Sequence, residues 1–144
     1  MVLVAAATTI TVLLAGGGKQ DNRATLLSQD TPEATARSFA RAATAHDAAA
    51  IRALVCAEQQ DDAARFINYT DYPARAADGL SGVRMTVEFG GVVPAKFGKT
   101  TIALSFSYSG VPANLRDEDS LVNRTEEFTM TESGGRWVLC DDLV

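Results

Sequence analysis

The two cysteines, Cys56 and Cys140, are the residues whose chemistry says most about the fold and the cellular compartment of this protein. The chain has no C-x-x-C motif and no cysteine–histidine set at zinc spacing, and its single histidine, His46, cannot complete a conventional metal site. Two interpretations remain: a Cys56–Cys140 disulfide, which needs an oxidising compartment, or two buried free thiols. A disulfide that closes so long a loop would contribute on the order of 4 kcal/mol in the chain-entropy treatment.

The distribution of charged residues argues against a nucleic-acid partner. The net charge is −5, and no cluster of Lys and Arg exceeds two residues, so the basic footprint of a nucleic-acid-binding protein is missing. The acidic runs Asp61-Asp62 and Asp117-Glu118-Asp119 lack the glycine and the ligand spacing of a calcium loop, and we interpret them as solvated surface. We expect no metal and no cofactor.

The N-terminal segment, residues 1–18, predicts a membrane anchor. Residues 1–15 carry no charge and are almost all apolar or threonine, and three glycines separate them from Lys19. The segment approaches the ~20 apolar residues that span a bilayer. It lacks a basic region before the apolar run, so a cleaved signal peptide is the second interpretation and a buried soluble helix the third. We expect a single-pass protein of the cell membrane with its domain on the extracytoplasmic side; secretion is the alternative.

The rest of the chain begins as a linker and continues as a helical region. Residues 19–30 are polar and predict a linker to a domain that covers residues 31–144. Thr31 is expected to cap a first helix ending near Ala45, with Pro32 at the first helical position. Asp47 is expected to cap a second helix, and a third is expected over residues 59–69.

From Gly82 onward the apolar residues repeat every second position, which indicates strands. Strands are predicted over residues 83–89, 101–108 and 121–131, and a fourth after the Gly134-Gly135 turn. The inward face of the second strand would carry Ile102, Leu104, Phe106 and Tyr108. Three helices followed by four antiparallel strands predict an α+β fold.

Several short motifs carry a resemblance to a known fold family. They are Thr31-Pro32-Glu33, Ala45-His46-Asp47 with Ala50-Ile51-Arg52-Ala53-Leu54, and Gly135-Arg136-Trp137-Val138-Leu139-Cys140. Their order resembles the cystatin-like cone of the nuclear-transport-factor-two-like superfamily, in which helices pack inside a curved antiparallel sheet. Leu54-Val55-Cys56 and the final motif are also similar to actinobacterial envelope proteins with an N-terminal transmembrane helix and an outward domain of unknown function. The resemblance implies a cone fold and a homodimer through the sheet.

The resemblance also implies candidate residues for a pocket. Isomerase-like and cyclase-like enzymes of the superfamily place an acid or histidine with tyrosine partners inside the cone, which singles out His46, Asp47 and Tyr108. Asp47 already serves as a helix cap, and Tyr108 fits a core position with its hydroxyl at the rim. Apart from Tyr108, the inward strand residues identified so far are Val, Met, Phe, Ile and Leu, which offer little acid–base chemistry. We therefore assign no catalytic residue.

Two functions follow from these expectations. The first is a non-enzymatic binding module of the cell envelope that takes a protein partner or an apolar small ligand. The alternative is a small-molecule-binding protein or isomerase-like or cyclase-like enzyme with a pocket inside the cone, which would require convergent polar side chains in a cavity.

Overall fold

The computed structural model describes residues 29–96 and 99–143, and it shows an α+β cone. The four strands form one curved antiparallel sheet in the order β1-β2-β3-β4, with the three helices packed on its concave face. The helices are α1 (Pro32–Thr44), α2 (Ala48–Leu54) and α3 (Asp62–Thr70), and the strands are β1 (Arg84–Lys96), β2 (Lys99–Ser109), β3 (Arg124–Ser133) and β4 (Arg136–Leu139). The predicted fold class is confirmed.

The caps predicted for the first two helices are present. The Thr31 side chain accepts a hydrogen bond of 3.1 Å from the Ala34 N–H, and the Asp47 carboxylate accepts one of 2.9 Å from the Ala50 N–H. The third helix was predicted to begin near residue 59. It begins at Asp62 instead, because Ala57–Gln59 forms a separate 3₁₀ turn.

The third strand also begins later than predicted. A 3₁₀ turn over Asp119–Leu121 buries Leu121, and β3 starts only at Arg124. Within β1, the pairing with β2 shifts register between Phe89 and Gly91, which is a β-bulge. Gly91 has a φ of +140°, a conformation that glycine adopts without strain. Bulges increase the twist and bend of a strand, so this one contributes to the curvature of the sheet.

Aromatic rings join the helices to the sheet. Phe39 of α1 is fully buried, and its ring centroid lies 6.1 Å from that of Phe66 on α3 and 6.4 Å from that of Phe128 on β3. Phe106 of β2 lies 6.3 Å from Phe128. Burial of these large rings contributes apolar stabilisation and fixes the helices against the sheet.

Both outer edges of the sheet are partly covered. At β1, the Thr44 hydroxyl accepts from the Val87 N–H at 2.9 Å and contacts the Val87 carbonyl at 3.3 Å. At β4, the Cys56 N–H donates to the Leu139 carbonyl at 2.7 Å, and the Trp137 N–H donates to the Gln29 carbonyl at 2.9 Å. Unpaired strand edges attract other strands, so these contacts protect the sheet from edge pairing.

The expected membrane anchor and most of the expected linker lie outside the described residues. Within 29–96 and 99–143, no helix is long and apolar enough to cross a bilayer. At the end of the predicted linker, the Gln29 side chain is buried and donates to the Trp137 carbonyl at 3.1 Å. The packing of the domain therefore includes Gln29, two residues before Thr31.

Candidate functional site

A cavity of about 380 Å³ opens between α3 and the inner face of the sheet. Its apolar lining comes from Phe66 on α3, Met85 on β1 and Phe106 on β2. Its polar lining includes Tyr72, Tyr108, Arg124 and Glu126, and the C-terminal residues Asp142 and Leu143 form a further wall. A volume of this size lies within the ~300–1,000 Å³ typical of small-molecule sites.

Strand geometry places Arg124 and Glu126 inside the cone. Side chains two residues apart on a strand share a face, and Phe128 and Met130 of β3 are buried in the core. Arg124 and Glu126 occupy the next two positions of the same face. They pair with Phe106 and Leu104 of β2, whose side chains also point inward. The apolar inner face of the sheet therefore ends in a charged pair at the cavity.

The Arg124 guanidinium makes hydrogen bonds and contacts with aromatic rings. Its Nε donates to the Glu126 carboxylate, and its Nη1 donates to the Tyr108 hydroxyl at 3.0 Å. The guanidinium carbon also lies 5.4 Å from the Phe106 ring centroid and 5.7 Å from that of Tyr108. Partial burial by itself would lower the pKa of Arg124, but the contacts with Glu126 and Tyr108 outweigh it and raise the pKa. Arg124 therefore stays charged and fixed.

A second tyrosine extends this network into the core. Tyr72 is 2% exposed, and its ring meets the Tyr108 ring edge-on, with the ring centroids 5.8 Å apart. Burial raises the pKa of Tyr72 far above its ordinary value, and the neighbouring phenol of Tyr108 raises it further. The Tyr108 oxygen accepts from the Arg124 Nη1–H. The proton of Tyr108 is then free to meet an acceptor in the cavity.

The C-terminal wall of the cavity is held by the predicted disulfide. Cys56 and Cys140 are bonded, with their Cα atoms 5.0 Å apart, so the disulfide interpretation is confirmed over the two free thiols. The Asp141 carboxylate accepts from the Thr129 N–H, and the Asp142 carboxylate accepts from the Gln59 amide at 3.2 Å. These ties set the position of Asp142 and Leu143 beside the cavity.

Of the three residues predicted to line a pocket, one lies at the cavity and two lie elsewhere. Tyr108 lines the cavity. His46 is absent from the lining; its ring Nε2 lies 3.1 Å from the Thr70 carbonyl, so it caps the end of α3. Asp47 is also absent from the lining, and its carboxylate is engaged as the cap of α2. His46 and Asp47 thus have local structural partners, and only Tyr108 meets the cavity.

Sequence reasoning missed Tyr72, Arg124 and Glu126. Arg124 and Glu126 could have been found by counting back in twos from Phe128 and Met130, since all four share a face of β3. Tyr72 had no such signal, because it lies in a 3₁₀ turn, Tyr72–Ala74, outside any periodic element. The described residues contain no group of three or more His, Cys, Asp or Glu side chains that could hold a metal ion.

Comparisons with protein-family models, with curated proteins and with solved structures found no match to this chain. Membership in the nuclear-transport-factor-two-like superfamily therefore stays a prediction that rests on the resemblance of sequence motifs and element order.

Proposed function

We propose that this chain is a non-enzymatic binding module of the cell envelope and that its cavity takes a small, mostly apolar ligand carrying one hydrogen-bond acceptor. The observation that carries the proposal is the cavity of about 380 Å³, with apolar side chains on one side and the Tyr108–Arg124 pair on the other. Sites for small molecules combine these two features: apolar lining supplies affinity, and a few placed polar groups orient the ligand.

The disposition of the charged groups favours binding over catalysis. A general base must be able to take up a proton, and the Glu126 carboxylate is engaged by the Arg124 guanidinium. His46 and Asp47 do not line the cavity, and the Asp142 carboxylate, which does, accepts a hydrogen bond from the Gln59 amide. What the cavity offers a ligand is therefore mainly hydrogen-bond donors and apolar surface.

A small ligand is also better supported than a docked protein. The large apolar side chains that are exposed in the described part of the chain, Tyr69, Val92 and Val122, lie on three different elements: α3, β1 and the segment before β3. Protein interfaces usually present apolar side chains as one patch. A protein partner stays a prediction without a surface assigned to it.

Ligand binding is tested with 2-acetylnaphthalene, a flat apolar molecule with a single ketone oxygen. We expect saturable binding in equilibrium dialysis and about tenfold weaker binding by Tyr108→Phe, which loses one hydrogen bond to the ligand. Tyr69→Phe is the matched control, since it makes the same change on the lining outside the Tyr72–Tyr108–Arg124 network. Absence of saturable binding, or equal losses in the two variants, would contradict the proposal.

The expected location is supported by the disulfide, because disulfides persist in oxidising compartments. We propose that residues 1–18 hold the domain at the outer side of the cell membrane. The full chain should remain in the membrane pellet after alkaline carbonate extraction and should have the mass of all 144 residues. Release into the supernatant with the mass of a shortened chain would favour the alternative, a cleaved signal peptide and secretion.

An isomerase-like or cyclase-like enzyme is the second candidate function, and the presence of Tyr72 and Tyr108 together on the cavity lining favours it. A phenol hydroxyl in the cavity can donate to a ketone oxygen and stabilise negative charge that develops on it. Proton abstraction next to the ketone would appear as protein-dependent deuterium uptake at the methyl group of 2-acetylnaphthalene in heavy water. Uptake that is lost in Tyr108→Phe would support the enzyme; binding without uptake would support the binding module.

A further inference from the structure

The positive charge of Arg124 is already matched inside the cavity. Glu126 receives the Arg124 Nε–H, and Asp142 contributes a second carboxylate to the same lining. The lining therefore carries one more acid than base, although Arg124 and Tyr108 provide hydrogen-bond donors on it. Within the described part of the chain, the Nη2 of Arg124 makes no hydrogen bond, so it is available to a ligand together with the Tyr108 proton.

Resting on the proposed function, we infer that Glu126 is a specificity-determining residue: by neutralising Arg124 it makes the cavity accept a neutral oxygen acceptor and reject a carboxylate. Both kinds of ligand could accept from Tyr108 and Arg124. A carboxylate would in addition be repelled by Glu126 and Asp142 and would have to leave water, where it is strongly solvated. A ketone carries no net charge, so the two carboxylates do not repel it and its removal from water costs less free energy.

Discrimination of this kind depends on a repulsive element as much as on an attractive one. The Arg124–Glu126 pair supplies both elements: Arg124 provides the hydrogen-bond donors, and the Glu126 carboxylate provides the negative charge that repels an anion. The two residues occupy neighbouring positions on the inner face of β3. The two side chains are 38% and 41% exposed, so solvent screens them and their effect on a ligand is moderate.

The test compares two probes of nearly the same shape, 2-acetylnaphthalene and 2-naphthoate, in which a methyl group of the first is replaced by a charged oxygen in the second. Binding of both is measured by equilibrium dialysis on the full chain at neutral pH. We expect the wild-type protein to bind the ketone at least about tenfold more tightly than the carboxylate.

Glu126→Gln keeps an oxygen that can accept from Arg124 and removes the charge. We expect it to raise the affinity for 2-naphthoate about fivefold and to leave the affinity for the ketone within about a factor of two. The gain should shrink as salt is added, because it is electrostatic. Glu127→Gln is the matched control: it removes the same charge from the next residue of β3, which is exposed on the outer face, and should change neither affinity.

The outcomes separate this inference from the proposal on which it rests. Binding of the ketone with equal binding of the carboxylate, or no effect of Glu126→Gln on 2-naphthoate, overturns the role of Glu126 and leaves the binding site standing. Equal gains in Glu126→Gln and Glu127→Gln also overturn it, since they would reflect net charge alone. Binding of neither probe by any variant with a native melting transition overturns both.

Discussion

Tyr72 ties proton binding to stability because its phenol is buried against Tyr108. Its pKa in the folded protein is raised above the ordinary value of about 10 by burial and then by Tyr108. The folded state therefore holds this proton at pH values where the unfolded chain has lost it. The stabilisation that comes from Tyr72 is fully present below about pH 10 and is lost as the pH rises above 10 towards the pKa of the folded state.

We expect the free energy of unfolding to fall above pH 10 with a contribution from Tyr72 that approaches 1.4 kcal/mol per pH unit. Urea unfolding between pH 8 and pH 11 measures it. Tyr72→Phe removes the titrating group and should flatten the fall. Identical slopes in the wild-type protein and Tyr72→Phe would show that Tyr72 does not bind its proton more tightly in the folded state.

Asp47 caps the start of α2, and mutation can measure how much this cap contributes to stability. Its carboxylate accepts the Ala50 N–H at the start of α2, and we expect Asp47→Ala to cost about 1 kcal/mol. Asp61 occupies the corresponding position of α3 without a cap bond, and its ion pair with Arg52 is largely exposed. Asp61→Ala should therefore change stability by a few tenths of a kcal/mol at most. Chemical denaturation gives both values, and equal losses would contradict the assignment of the cap.

At the scale of elements, the disulfide joins the end of the helical half to the end of the last strand. It links residues 84 positions apart. Beside it, the Cys56 N–H donates a hydrogen bond to the Leu139 carbonyl. The unfolded chain is constrained by the loop that the disulfide closes, and this constraint is the source of stabilisation in the chain-entropy treatment.

We expect Cys56→Ser and Cys140→Ser each to lower the free energy of unfolding by about 4 kcal/mol, because either change opens the same loop. The double variant should lose no more than the single variants. A reductant should lower the melting temperature of the wild-type protein alone, and the unreduced protein should have a mass two hydrogens below that of the reduced chain. Unequal losses in the two single variants would contradict a shared bond.

For the whole molecule, a homodimer through the sheet stays a prediction from the resemblance. The outer face of β2 and β3 is made of small or polar side chains: Ala103, Ser105, Ser107, Thr125, Glu127 and Thr129. Such a face buries little apolar area, and low apolar burial is typical of weak, transient association. A dimer of this kind would have an affinity in the micromolar range or weaker.

Sedimentation velocity of the chain from Lys19 onward, at rising concentration, measures this association. We expect Ser105→Arg, in the middle of the outer face, to abolish any dimer, and Ser133→Arg, at the exposed end of β3, to leave it intact. A sedimentation coefficient that stays constant at all concentrations would contradict the dimer, and a tight dimer unaffected by Ser105→Arg would place the interface elsewhere.

The sequence by itself determined those features that short-range rules control. The caps at Thr31 and Asp47 depend on residues three positions away, and the inward face of β2 follows from an alternation within one strand. The disulfide was predictable because the chain has only two cysteines and an apolar N-terminal segment. The starts of α3 and β3 were predicted wrongly, since periodicity does not distinguish a 3₁₀ turn from the element that follows it.

Only the tertiary structure decided where a ligand could bind. Tyr72, Tyr108 and Arg124 belong to a turn and two strands, and their contacts exist because packing of the helices and the register of β2 on β3 bring them together. The same packing turned His46 and Asp47 towards helix ends instead of the cavity. Local patterns assign a side chain to a face, but the distance between side chains on different elements depends on the packing of the entire domain.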